Sequence, residues 1–261
     1  MDSNQELAKK LISNGHNLVL TGQEGTGKTY TIQSCYEQLR ISGKRVQLTC
    51  YTGIACRQYH SSVGAITLHR FCGLEDGRHS NDDLLNLITY DDRFINTKQR
   101  IIETEVLIID EVSMVSKKIF EQAEYICRKI KDPAFYFGGI QIILSGDFFQ
   151  LPPIQDELYG DFGHYCFEIT FFQYLFPHRI NLSKIYRQSE IDLSNAVSEL
   201  GNGERSEETN NFMNSLNREI DVPEGETVVK LFVRNLDVDF YNSDQLETIN
   251  AYPLHCFQYL R

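Results

Sequence analysis

The sequence predicts an α/β fold built on a doubly wound parallel sheet. Three observations predict it. A glycine-rich loop over 22–29 fits GxxxxGK[ST] and stands between an apolar strand and a helical stretch. The apolar run at 106–109 is unbroken, as strands covered on both faces are, and 140–145 reads as another central strand. Each such run is followed by a loop or an amphipathic stretch that can return the chain. With 261 residues, 41% of them hydrophobic, there is chain enough for one large or two modest cores.

Taken in order, 5–15 reads as a helix, with Leu7, Leu11 and Ile12 near helical spacing and Asn14-Gly15 as its stop. Residues 17–20 form a strand that enters the glycine loop. A helix over 29–39 carries Ile32, Cys35, Tyr36 and Leu39 on one stripe, and a strand over 45–49 completes a βαβ unit. A short helix is expected within 65–71, a polar surface loop over 75–83, and helices near 82–89 and 92–100. The 106–109 strand leads to an amphipathic helix over 116–130, with Ile119, Phe120, Ala123, Ile126, Cys127 and Ile130 on its apolar face. Gly138-Gly139 then introduces the 140–145 strand. Aromatic residues crowd 162–176, which fits either a base-stacking platform or, more simply, core packing. Helices over 190–200, 209–216 and 235–248 and a strand over 227–232 complete the prediction. A boundary near 181–189 divides 1–183 from 184–261.

Composition narrows the function. The net charge is −11, with 25 basic and 36 acidic residues, an unpromising balance for a polyanion ligand. Its distribution softens that: Arg40, Lys44, Arg45, Arg57 and Arg70 fall within 40–70, where no acidic residue occurs. No apolar run approaches ~20 residues, so no transmembrane helix is expected. The first residues lack a secretory pattern. The seven cysteines include no CxxC pair, which favours scattered thiols in a reducing compartment over a zinc site or disulfide scaffold.

The motifs carry the chemistry. Gly22, Gly25 and Gly27 let the backbone curl so that successive N–H groups face phosphate oxygens. Lys28 is placed to reach the β and γ phosphates and the Thr29 hydroxyl to hold Mg²⁺. Asp110 and Glu111 end an apolar strand, at the edge where parallel sheets bind ligands. Adjacent carboxylates there suit a cation held by Asp110, mostly through water, and a water positioned and deprotonated by Glu111. Gln150 follows the next strand, where its amide can sense a γ-phosphate or water.

Together these segments resemble the Pif1-like DNA helicases of helicase superfamily 1. The resemblance is carried by Thr21 to Thr29, Thr52-Gly53-Ile54-Ala55, Thr67-Leu68-His69-Arg70-Phe71, Ile109-Asp110-Glu111-Val112-Ser113-Met114-Val115, Gly146-Asp147-Phe148-Phe149-Gln150-Leu151-Pro152-Pro153, Tyr186-Arg187-Gln188 and Leu231-Phe232-Val233-Arg234-Asn235. It implies a P-loop NTPase with a RecA-like parallel sheet, helices on both faces, and the start of a second motor domain. It implies ATP and Mg²⁺ as cofactors, single-stranded or forked DNA as partner, no membrane, and a monomer. It also implies 5′–3′ unwinding in nucleus or mitochondrion, in repair, recombination or telomere maintenance. Gln5 matches a glutamine that reads adenine. Thr52, His69 and Phe71 match DNA-contacting positions. Gln150 matches a residue coupling nucleotide to DNA, and Arg187 an arginine that reaches the γ-phosphate.

The chain departs from the family pattern in two places. Cys56 replaces an alanine, and Arg57-Gln58-Tyr59-His60-Ser61-Ser62-Val63-Gly64 is a longer linker than the family's. Two late family motifs, one contacting DNA and one giving a second arginine to the nucleotide, do not occur in these 261 residues. The expectation is therefore a truncated motor with slow hydrolysis and no unwinding by this polypeptide alone. The competing classes are a nucleotide or single-strand binding module without motor activity, and a nucleotide kinase. The 146–150 block and the lack of an arginine-rich lid speak against the kinase.

Overall fold

The computed structural model describes residues 2–186, 191–218, 221–222 and 228–248. Helix α1 (Ser3–Ser13) starts at Asp2, whose carboxylate accepts from the amides of Asn4 and Gln5 while the Gln5 side chain returns to the Asp2 amide. This reciprocal cap satisfies donors that the first turn leaves open. Strand β1 (Leu18–Gly22) runs into the glycine loop, and α2 (Lys28–Ile41) leaves it. Then come β2 (Val46–Cys50), a short α3 (Gly53–Cys56), β3 (Ile66–Thr67) and α4 (Leu68–Cys72). Helices α5 (Asn81–Tyr90) and α6 (Ile95–Glu103) precede β4 (Val106–Asp110), α7 (Lys117–Ile130) and β5 (Gln141–Gly146). Helix α8 (Phe172–Leu175) leads to β6 (His178–Leu182), followed by α9 (Ile191–Gly201), α10 (Glu207–Ser215) and α11 (Asn235–Thr248).

Among the described residues the sheet has six strands, in the order β3-β2-β4-β5-β1-β6 with parallel pairing throughout. Alternate residues of each strand serve opposite faces. Val106 and Ile108 join Leu18, Leu20, Ile32 and Leu39 under α1 and α2. Leu107 and Ile109 join Val19, Phe120 and Ile126 under α4 to α8. The doubly wound expectation holds. Cys50 pairs with Asp110 and Thr21 with Gly146, so the strand ends that carry the motifs share one edge of the sheet.

The short helix expected within 65–71 is present as α4, with β3 before it, and 178–182 adds a strand that the sequence reading did not list. Two expectations need correction. The aromatic segment divides: Phe172 and Phe176 are buried beside Phe120, while Phe162 and Tyr174 face solvent. The strand expected over 227–232 does not form in its described part, 228–232, where Val229 and Leu231 are exposed. A strand needs a hydrogen-bonding neighbour, and none pairs with it there.

By compactness the chain divides into Met1–Thr209 and Asn210–Arg261. In the second unit α11 leaves Leu236, Phe240 and Leu246 exposed, and the Phe232 and Tyr241 rings lie 5.4 Å apart. Among the described residues no helix is long and apolar enough to cross a membrane, and no cluster of three His, Cys, Asp or Glu side chains could hold a metal ion.

Candidate active site

The glycine loop is held from two sides. A Cβ at Gly22 would stand 2.6 Å from the Leu182 carbonyl oxygen and 2.7 Å from Thr26 Oγ1. Strand β6 therefore forms a wall directly behind the loop. Gly27 is left-handed (φ 86°), and a Cβ there would stand 2.7 Å from Gln5 Nε2. Thr26 is fully buried and its hydroxyl donates to the Gln23 carbonyl. Among the described residues the amides of Gly25, Gly27, Lys28 and Thr29 have no acceptor. They are a row of open donors at the start of a fourteen-residue helix, the arrangement that binds phosphate.

Lys28 donates to the carbonyls of Gly22 (2.6 Å) and Gln23 (3.0 Å). Burial lowers its pKa from the usual lysine value, against the opposing pull of Asp147, Asp110 and Glu111. These three carboxylates come from the ends of β4 and β5 and share the field of one ammonium. Asp110 is buried, and its Oδ2 accepts from the Tyr59 hydroxyl at 2.5 Å. Glu111 takes a left-handed backbone (φ 57°), an uncommon conformation for a residue with a Cβ and one that recurs at functional sites. Burial, and then the adjacent Asp110, raise its pKa above the ordinary carboxylate value. Gly146 permits the close approach of the next segment: a Cβ there would stand 2.9 Å from the Val112 amide.

Asp147 is buried, and its two oxygens accept from the Phe149 amide (3.1 Å) and from Gln150 Nε2 (3.4 Å). Gln150 thus hangs from a carboxylate that itself faces Lys28. Beside it a cleft of about 850 Å³ opens between Gly22-Gln23-Glu24, the 147–150 turn and the Val197–Asn202 end of α9. Gln5 is buried and tied to both the Asp2 amide and the Thr26 carbonyl. One lone pair and one N–H of its amide remain for a ligand.

The oxygen donors fit a hard divalent cation. The Thr29 hydroxyl has no partner among the described residues, and Asp110 engages a protein donor through Oδ2. A few oxygens plus phosphate and water are what Mg²⁺ ordinarily takes, rather than an all-protein cage.

The DNA-contacting expectations fare unevenly. Thr52 caps α3, accepting from the Ala55 amide, and borders solvent. His69 packs edge-on against Tyr51 at 5.4 Å, and burial lowers its pKa. Phe71 is fully buried among Leu68, Leu74 and Leu84, so it is a core residue with no surface to offer a strand. Arg187 lies outside the described residues. Two participants stood in the quoted motifs without a role of their own. Asp147 carried the same strand-end signal as Asp110. Tyr186 donates its amide to the Gly25 carbonyl and its hydroxyl to Asp2, contacts that its motif does not announce.

A parallel sheet with a phosphate-cradling loop and carboxylates gathered at one edge defines a P-loop NTPase of RecA-like architecture. A family model described as PIF1-like helicase matches residues 2–218, and the chain belongs to that family. The ATP-dependent DNA helicase RRM3 of Saccharomyces cerevisiae is 30% identical over 247 residues, covering 94% of this chain and 33% of that protein. The ATP-dependent DNA helicase PIF1 of Candida albicans is 31% identical over 260 residues, covering 96% of this chain and 28% of that protein. The chain spans about a third of the length of these relatives. The crystal structure of the Candida albicans Pif1 helicase superposes with a TM-score of 0.82 at 31% identity, over 97% of this chain and 55% of that one. A Bacteroides Pif1 helicase in complex with ADP-AlF3 and ssDNA gives 0.79 at 27% identity, over 96% and 58%.

Proposed function

We propose that the chain is the ATP-binding motor portion of a 5′–3′ DNA helicase, coupling ATP hydrolysis to movement on single-stranded DNA. The observation that carries this reading is the convergence of Lys28, Asp110, Glu111 and Asp147 beside the open amides of the glycine loop. Family membership supports it, as does a relative described with ADP-AlF3 and ssDNA. In this reading residues 1–183 are the RecA-like motor domain and 184–261 begin a second one. The reading extends to forked DNA as partner and to nuclear or mitochondrial work in repair, recombination or telomere maintenance.

The loop amides and Lys28 hold the phosphates. Thr29 and Asp110 would hold Mg²⁺, which when bound neutralises charge on the β and γ oxygens. Glu111 orients a water against the γ-phosphorus and takes its proton as the bond to the leaving oxygen breaks. Its raised pKa makes it a stronger base than a free carboxylate. Gln150 reports the γ-phosphate to the DNA side, Gln5 selects adenine, and Arg187 stabilises the transferring group. Thr52 and His69 border the strand.

The deciding experiment is ATP hydrolysis by the purified chain with and without oligo-dT, beside a Lys28→Ala variant. DNA-stimulated turnover that the variant loses supports the reading. No turnover from folded protein overturns it.

A further inference from the structure

Tyr59 connects two places that the sequence keeps apart. It lies in the 57–64 linker between α3 and β3, is 5% exposed, and its hydroxyl donates a hydrogen bond to Asp110 Oδ2 at 2.5 Å. Among the described residues no other side chain donates to that carboxylate. The same tyrosine lines a surface cleft of about 530 Å³ together with Gly53, Arg57, His60, Thr67 and Arg70. Neither Arg57 nor Arg70 has an acidic partner among the described residues, and no acidic residue occurs between Glu37 and Glu75. In a chain of net charge −11, this cleft is suited to a phosphodiester backbone.

The linker is also anchored. The Val63 carbonyl accepts from the Tyr36 hydroxyl on α2, and the Ser62 amide donates to His60 Nδ1. Tyr59 therefore has little slack. A backbone that drew Arg57 and Arg70 toward its phosphates would pull on a segment whose buried end grips the carboxylate. A short bond between a phenol and a carboxylate is charge-assisted and directional, so its loss or rotation reorients Asp110.

We propose that Tyr59 is a positioning residue that couples occupancy of this cleft by single-stranded DNA to the orientation of Asp110, and through it to binding of the Mg²⁺–nucleotide. The proposal rests on the motor reading above. Coupling between two sites is reciprocal: if DNA changes affinity for the nucleotide, the nucleotide changes affinity for DNA by the same factor. A tyrosine that only fills space would leave that factor alone in Tyr59→Phe, which keeps the ring and removes the oxygen.

The test measures the affinity of fluorescein-labelled oligo-dT with and without saturating Mg²⁺ and a non-hydrolysable ATP analogue. The ratio of the two dissociation constants is the readout, and such ratios commonly fall in the range of about 5–150. The expected result is a clear ratio in the unaltered chain that shrinks at least about threefold in Tyr59→Phe. An unchanged ratio in a variant that binds both ligands overturns the proposal and leaves the motor reading standing. A ratio of one in the unaltered chain overturns both. A second measurement needs no variant: amide hydrogen exchange over 109–112, with oligo-dT alone. Changed protection there supports the coupling, and unchanged protection at saturating oligo-dT overturns it.

Discussion

Glu111 and His69 show how much rests on single side chains. Burial raises the pKa of Glu111 at the β4 edge, and its backbone is left-handed. Replacing it with glutamine keeps the shape and removes the base. Glu111→Gln is expected to bind nucleotide normally and to lose about 10²–10⁴-fold in turnover, measured by single-turnover hydrolysis. His69 works in the other direction. Burial lowers its pKa from 6.5, so the folded chain binds this proton more weakly than the unfolded chain does. Its contribution is complete above the unfolded value and is lost as pH falls toward the folded one. The melting temperature of the unaltered chain should therefore drop more than that of His69→Gln between about pH 7.5 and about pH 5. The sequence exposed Lys28, Thr29, Asp110 and Glu111 because contiguous motifs carry them. It misplaced Phe71, because a contact motif and a core stripe overlap in a five-residue helix. Tyr59 was visible only as part of a long linker, since its partner is 51 residues away.

At the scale of elements, the strands that read clearly are those covered on both faces. Strands β1, β4 and β5 carry the apolar runs 18–20, 106–109 and 142–144 because helices shield each side. Strand β6 did not read that way. Exposed Arg179 and Asn181 alternate with buried Ile180 and Leu182, the pattern of an edge strand with one face outward. Strand β3 has only two residues and no period to detect. Helix α7 depends on how its end is sealed. After it the chain turns at Phe137 and Gly138, both left-handed. A Cβ on Gly138 would stand 2.7 Å from the Cys127 carbonyl oxygen and 2.7 Å from Lys131 Cβ. Gly138→Ala therefore strains the backbone and pushes on the helix that buries Phe120. A loss of about 2–4 kcal/mol is expected from urea unfolding.

For the whole molecule, the core belongs to the first unit. Both apolar clusters, one on each face of the sheet, draw their residues from Ala8 to Leu182. The chain ended at Thr209 should fold as a single cooperative unit and retain the nucleotide analogue, with a melting midpoint unchanged from that of the full chain. A lower midpoint would assign part of the stability to 210–261. The β6 wall behind Gly22 has a consequence in time. Thr21 and its partner Asn181 are 160 residues apart along the chain. During synthesis the loop leaves the ribosome early and its wall emerges much later. At ordinary elongation rates the loop waits roughly ten to thirty seconds before that backing exists. A nascent chain thus carries a phosphate-binding sequence well before it can close around a phosphate, and ATP cannot serve as its early folding template.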